Sequence, residues 1–242
     1  MKYCLYERDA ATERPPDDSV DIRRLFDEAT ECRLFSQRVL RFRPGRSRER
    51  LVTASDEVLF VLEGTGTVAA GGNEQPVARG AGVFVAAGTR WAVEADQELV
   101  PLSVLVHEPE SARAQAAVVD TAEDAGRAAT AGRQFRLGVG PEVGCASVTQ
   151  FVGIIPPGRA PDHFHTYDEV IYVLDGTGTL HIGGETAPLE PTAAVHLPAR
   201  VVHSLENTGA GDMLILGVFR PAGSPAEAYY PDGTPAAAPE AS

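Results

Sequence analysis

The chain has 242 residues, 43% of them hydrophobic, and a formal charge of −13, which leaves enough apolar side chains for a globular core and disfavours nucleic acid and anionic membranes as partners, since both would be repelled. No apolar run approaches the ~20 residues of a membrane-spanning helix, and MKYCLYERDAATERPPDD at the N-terminus lacks the apolar stretch of a secretory leader. Cys4, Cys32 and Cys145 cannot all pair with one another and show no C-x-x-C spacing, which suits a reducing cytoplasm.

In chain order, the first element, DIRRLFDEA (21–29), fits a strand or a short helix. The next stretch holds one copy of an internal repeat. TASDEVLFVLEGTGTVAAGG (53–72) aligns with HTYDEVIYVLDGTGTLHIGG (165–184) at an offset of 112, without a gap from Leu51/His163 to Trp91/His203, with 15 identities in 41 positions. Upstream the offset becomes 113, pairing Cys32 with Cys145, Gln37 with Gln150, and Pro44-Gly45 with Pro157-Gly158. The duplicated unit covers roughly 22–108 and 135–221, a repeat too extensive for coincidence.

The connecting segment 110–133 is rich in Ala and charge and has room for a short helix or strand. The second copy then reads as strands at 146–155, 169–174, 178–182, 193–197, 202–206 and 213–219, separated by turn chemistry in PPGRAPD, DGTG, GGET and ENTGAGD. Many short strands with regular turns predict an all-β sandwich or barrel. The Pro/Ala-rich end, 222–242, is expected to be extended, with Tyr229 and Tyr230 available to pin it. The domain reading is 1–109, a linker 110–134, 135–221, and the tail 222–242.

Five of the six histidines lie in the second half. His163 and His165 are two apart, so on a strand both leave the same face. Glu169 opens the next strand, and His203 falls on a late strand of the same barrel. A rolled sheet can bring all four side chains to one interior point. Imidazole with carboxylate suits Mn, Fe, Ni, Cu or Zn. Four protein ligands would close a tetrahedral Zn site but leave two open positions around an octahedral ion, which favours Fe, Mn or Ni, with Zn and Cu as alternatives. In the first copy the same positions hold Leu51, Thr53, Glu57 and Trp91. One carboxylate without imidazoles is a weak site, so one metal per chain is expected. Trp91 is expected to fill the space of the ion, or to offer a stacking platform. A neighbouring Arg, or the fold itself, would account for Glu57.

GRAPDHFHTYDEVIYVLDG (158–176) and PARVVHSLEN (198–207) resemble the two motifs of the cupin superfamily. The resemblance departs at Arg200, where the family motif has Gly. It implies two tandem jelly-roll β-barrels, a bicupin, with His163, His165, Glu169 and His203 as metal ligands of the second barrel and a degenerate, metal-free first barrel. It allows dioxygenase, isomerase, epimerase or decarboxylase chemistry on a small organic molecule, with a non-catalytic binding or sensing protein as the alternative. Pairing into a homodimer is compatible with it.

Further candidates surround the site. Alternation from Glu169 sends Ile171 and Val173 inward and Tyr172 to the other face, while Leu205 and Asn207 share the face of His203. Ile171, Val173, Arg200, Leu205 and Asn207 are thus the expected substrate pocket, and His181, His196 and Tyr172 the candidate acid–base groups. Arg200 either clamps a substrate carboxylate or sits in a turn of a different shape; Arg159 has a similar, weaker case.

Overall fold

The computed structural model describes residues 2–236. Two antiparallel β-sandwiches follow one another, each made of one long and one short sheet. In the second, Asp168–Asp175, Met213–Arg220, Thr149–Ile155 and Ala193–Leu197 belong to the long sheet. Gly178–Ile182, His203–Asn207, Glu185–Leu189 and Gly158–Arg159 form the short one. These strands coincide within a few residues with those read from the sequence; Glu185–Leu189 was hidden because ETAPL has no β-branched run. The ambiguous 21–29 stretch splits into the strand Val20–Phe26 and a single 3-10 turn, Glu28–Thr30, capped by Asp27. Among the described residues no helix is long and apolar enough to cross a membrane.

The sheets do not respect chain order. Cys4–Tyr6, ahead of the first repeat, pairs with Ala193–Leu197 of the second, with Leu5 opposite Ala194. Ala116–Asp120, from the connecting segment, pairs with Ala81–Val85 of the first, with Val118 opposite Val83. Val83 and Val195 are equivalent positions, so a short strand ahead of each repeat extends the other repeat's long sheet. This covers what would otherwise be an open edge. The two long sheets pack face to face through a shared core that includes Phe26, Phe35, Val58 and Phe84 from one repeat and Val148, Val170, Leu216 and Val218 from the other. Two amides cross the seam reciprocally: Gln37 donates to the carbonyl of Ile171 at 3.3 Å and Gln150 to that of Leu59 at 3.2 Å. The matched pairs are what a local two-fold relation between duplicated units requires.

Glu7 fastens the exchanged N-terminal strand. Its buried carboxylate receives Arg23 at 3.3 Å, Arg41 at 3.2 Å and the Tyr172 hydroxyl at 2.6 Å. A Glu7→Gln change removes the charge that these donors face. Because both arginines keep about a third of their side-chain surface in water, the expected loss is tempered to about 2 kcal/mol, readable as a lower urea midpoint at unchanged slope; an unchanged midpoint would show that this cluster does not hold the strand. The three thiols are free and buried. Burial pushes Cys32 up to about 12 and Cys145 up to about 11. The thiolate is the reactive form, so iodoacetamide at pH 8 is expected to leave both unmodified in the folded protein and to label them once guanidinium is added. Rapid labelling of the native protein would contradict this packing.

Candidate metal centre

His203 opens the strand His203–Asn207 on the short sheet, and His163 lies beside it. The two residues exchange both backbone hydrogen bonds, His163 N–H to His203 O at 3.0 Å and the reverse at 2.8 Å. His165 follows two residues on, and the Arg200 N–H holds its carbonyl at 2.7 Å. The three imidazoles converge, with ring centroids 4.7 to 5.1 Å apart. One nitrogen from each lies within 4.8 Å of the other two.

Hydrogen bonding fixes which nitrogen that is. Nδ1 of His163 donates to Pro161 O at 2.8 Å, Nδ1 of His165 to Glu227 O at 2.7 Å, and Nδ1 of His203 to Val201 O at 2.9 Å. A carbonyl only accepts, so each Nδ1 carries a proton and each neutral ring presents an Nε2 lone pair. Burial lowers the pKa of all three, that of His165 to about 3. The rings are therefore neutral at ordinary pH, and protons do not compete for the lone pairs.

Glu169 faces this trio from the long sheet, outside the set of three but on the wall of the same cavity. Burial raises its pKa to about 8, against the opposing pull of the Arg133 charge. Space for its carboxylate comes from Gly217 on the neighbouring strand. A Cβ there would lie 2.7 Å from Glu169 Oε1 and collide with the ring of Phe151. Three neutral nitrogen donors, a carboxylate and a glycine that keeps the space open fit a divalent transition metal.

The cavity measures about 60 Å³. Its walls are mostly apolar, with Phe151, Ile155, Ile171, Leu205 and Ile215 among them, and Tyr167 adds a polar tip. Tyr167 stacks on His165 at 4.6 Å and on Phe219 at 4.0 Å. Two segments outside the barrel strands complete the rim. Ala129, Thr130 and Arg133 come from the connecting chain, Pro225 and Ala228 from the C-terminal end. Tyr229 pins that end, exchanging two 2.9 Å backbone hydrogen bonds with Phe164 while their rings stack. Residues 237–242 of the expected extended tail lie outside the described residues.

The residues expected around a substrate stand in different places. Ile171 and Leu205 line the cavity; Val173 packs in the barrel core away from it. Asn207 is a turn brace, donating to Ile155 O and Gly211 O at 2.8 Å each and accepting from the Gly209 N–H. Arg200 is exposed and keeps the left-handed conformation of the glycine it replaces, φ 64°. The turn is thus not reshaped, and the side chain does not reach the cavity. Arg159 pairs with Asp162 on the outside.

The three acid–base candidates also stand elsewhere. His181 bonds Glu206 at 2.8 Å on the outer face of the short sheet. His196 bonds Asp168 at 2.7 Å and leans on Phe26 at the seam between barrels. Tyr172 is held by Glu7 in the same seam. Alternation placed Tyr172 outside the barrel correctly; the two histidines lie on strand faces turned away from the cavity.

The first barrel shows how the equivalent site is filled. Trp91 is buried in the barrel core against the edge of Phe42, with the guanidinium of Arg50 over both rings. Glu57 receives Arg38 at 2.7 Å and Ser103 at 2.6 Å, which is the neighbouring Arg the sequence suggested. The strand pairing places Phe151 where Arg38 stands and Gly217 where Ser103 stands. Arg133, Phe151, Tyr167 and Gly217 went unread in the sequence, yet the repeat carried the signal: their counterparts Val20, Arg38, Ser55 and Ser103 all differ in kind.

The cupin-domain family profile matches residues 38–108 and 151–219. The chain belongs to the cupin family. Among curated proteins this cupin is similar to auxin-binding protein 1 of Arabidopsis thaliana, 29% identical over 73 residues, covering 26% of this chain and 37% of that protein. It is also similar to polyketide synthase CurC of Streptomyces cyaneus, 33% identical over 69 residues, covering 28% and 45%. Each match therefore spans less than half of the relative. Among solved structures, the Escherichia coli protein Ylba has a TM-score of 0.75 at 12% identity, covering 90% of this chain and 89% of its own. A Lactobacillus farciminis oxalate decarboxylase in a formate complex has 0.74 at 13%, covering 90% and 86%. A point mutant of the oxalate decarboxylase of Bacillus subtilis has 0.74 at 12%, covering 90% and 77%. At such identities the likeness shows the two-barrel fold alone.

Gly217→Ala puts a methyl group against both Glu169 and Phe151. Disturbance of groups that orient ligands commonly costs ten- to a hundredfold in metal affinity. Titration of the variant with Mn(II) or Co(II) is expected to show at least about a tenfold loss; wild-type affinity would mean that the carboxylate position does not matter to the ion.

Proposed function

We propose that the second barrel holds one divalent transition metal on His163, His165 and His203, with Glu169 as the fourth protein ligand, and that this cupin is a metal-dependent enzyme acting on a small organic molecule. The observation that carries the reading is the triple tautomer lock, which turns three Nε2 lone pairs toward one point. Four protein ligands on an octahedral ion leave two positions for a ligand, which favours Fe, Mn or Ni over a closed tetrahedral Zn site. When bound, such an ion supplies Lewis acidity or a place for dioxygen. The chain's own residues do the rest. Ile155, Ile171, Leu205, Ile215 and Phe151 exclude bulk water. Tyr167 fixes the ring plane of His165 by stacking. Glu169 offers its carboxylate from the wall opposite the imidazoles.

Dioxygenase and decarboxylase or isomerase chemistry both fit this arrangement, and the fold likeness to oxalate decarboxylases supports the second. One observation favours the alternative of a non-catalytic small-molecule binder: His181, His196 and Tyr172 all face away from the cavity. The first test is elemental analysis of protein purified without chelator. Close to one metal per chain is expected, falling to near zero in His163→Ala. A wild-type value near two, or none at all, would overturn the one-site reading.

A further inference from the structure

Arg133 differs from the other arginines near the two barrels. It sits on the connecting chain just before the strand Gln134–Leu137, lines the metal cavity, and donates through Nη2 to the carbonyl of Leu205 at 2.6 Å. No carboxylate lies within 4 Å of it among the described residues, Glu169 included, although Glu169 feels its charge. A guanidinium has five N–H donors, and one carbonyl leaves most of them for something else. Burial lowers its pKa to about 10, so it remains charged at ordinary pH.

The backbone that presents it is shaped for the purpose. Ala131 and Gly132 are both left-handed, φ 58° and φ 73°. The glycine adopts this freely, whereas the alanine is strained. Strain of this kind persists where the surroundings enforce it, often at ligand clamps. The duplicated unit serves as an internal comparison. At the equivalent place the first barrel has Val20, fully buried, and its cation, Arg38, is bound to Glu57. In the second barrel no arginine is bound to the equivalent carboxylate among the described residues, and Arg133 stands on the wall of the cavity.

We infer that Arg133 anchors the carboxylate of a small organic acid whose other end reaches the three histidines. A planar fork matches a carboxylate in two parallel hydrogen bonds. Arg133 bonds one backbone carbonyl and no carboxylate among the described residues, so its remaining N–H donors are available to an anion in the cavity. At about 60 Å³ it falls well below the ~300–1,000 Å³ of sites for drug-sized ligands, so the acid has few carbon atoms. This names the ligand class of the site proposed above and rests on that cavity being the ligand site.

The test is calorimetric titration of the full chain with formate, acetate and oxalate, and with formamide and acetamide as uncharged counterparts, in metal-loaded and chelator-stripped protein. Wild type is expected to bind at least one acid and to prefer it over its uncharged counterpart. Loss of charge-assisted hydrogen bonds predicts about a 10- to 100-fold weaker affinity in Arg133→Gln. Arg133→Lys should fall between, because it keeps the charge and loses the fork. Metal content and melting temperature are measured on every variant, and Arg133→Lys decides the matter if the Gln variant does not fold. Acid binding that is lost in Arg133→Gln although wild type retains no metal would uphold the anchor and overturn the metal reading. Full metal content with acid affinity unchanged by either variant would do the reverse. Equal binding of acids and uncharged counterparts, or no binding of any acid, would overturn the anchor.

Discussion

The carboxylates of Glu57 and Glu169 stand at equivalent points inside the two barrels, and each is a charge in an apolar interior. Such a group needs a partner or a proton, and the two copies meet that demand in opposite ways. In the first, Arg38 and Ser103 converge on Glu57, and Trp91 occupies the remaining space. In the second, Phe151 and Gly217 have replaced those partners, so Glu169 faces a cavity with its pKa raised to about 8. A nearby cation would restore the charged form. The same buried carboxylate thus stabilises a packed core in one barrel and leaves an unmet demand for positive charge in the other.

The seam between the barrels protects this asymmetry. A short strand from ahead of each repeat extends the other repeat's long sheet and covers the edges of Ala193–Leu197 and Ala81–Val85. Two polar side chains that the sequence offered as acid–base candidates, His196 and Tyr172, are committed to the seam through Asp168 and Glu7. A seam built from paired amides and buried carboxylates fixes register more strictly than apolar packing alone.

Periodicity and turn chemistry made the strands of the second copy legible, because β-branched runs between Gly-rich turns have few alternative readings. The meeting of His163, His165 and His203 was legible from spacing and from the gapless repeat. The exchange of terminal strands was not, since CLY and AAVVD are too short to reveal a partner. Alternation gives the face of Ile171 and Leu205, which line the cavity, but not how deep along the barrel Val173 and Asn207 lie. Arg133 was invisible for another reason: a loop residue placed by two left-handed neighbours follows no period. What could have exposed it was asking at which positions the two copies differ in charge, a question sharper than where they agree.

The tautomer lock ties these points together. His163 and His203 are fixed by carbonyls two residues away, Pro161 and Val201, so their orientation belongs to the local turns. His165 is fixed by Glu227, 62 residues further along the chain. Its geometry therefore depends on the C-terminal segment being docked, through the Phe164–Tyr229 pairing and the contacts of Glu227 with Thr166 and Tyr229. The segment that completes the cavity rim is the one that aims the third imidazole, so undocking it would open the cavity and release the ligand orientation together. The docked C-terminal segment thus both walls the cavity and orients one of its three imidazoles.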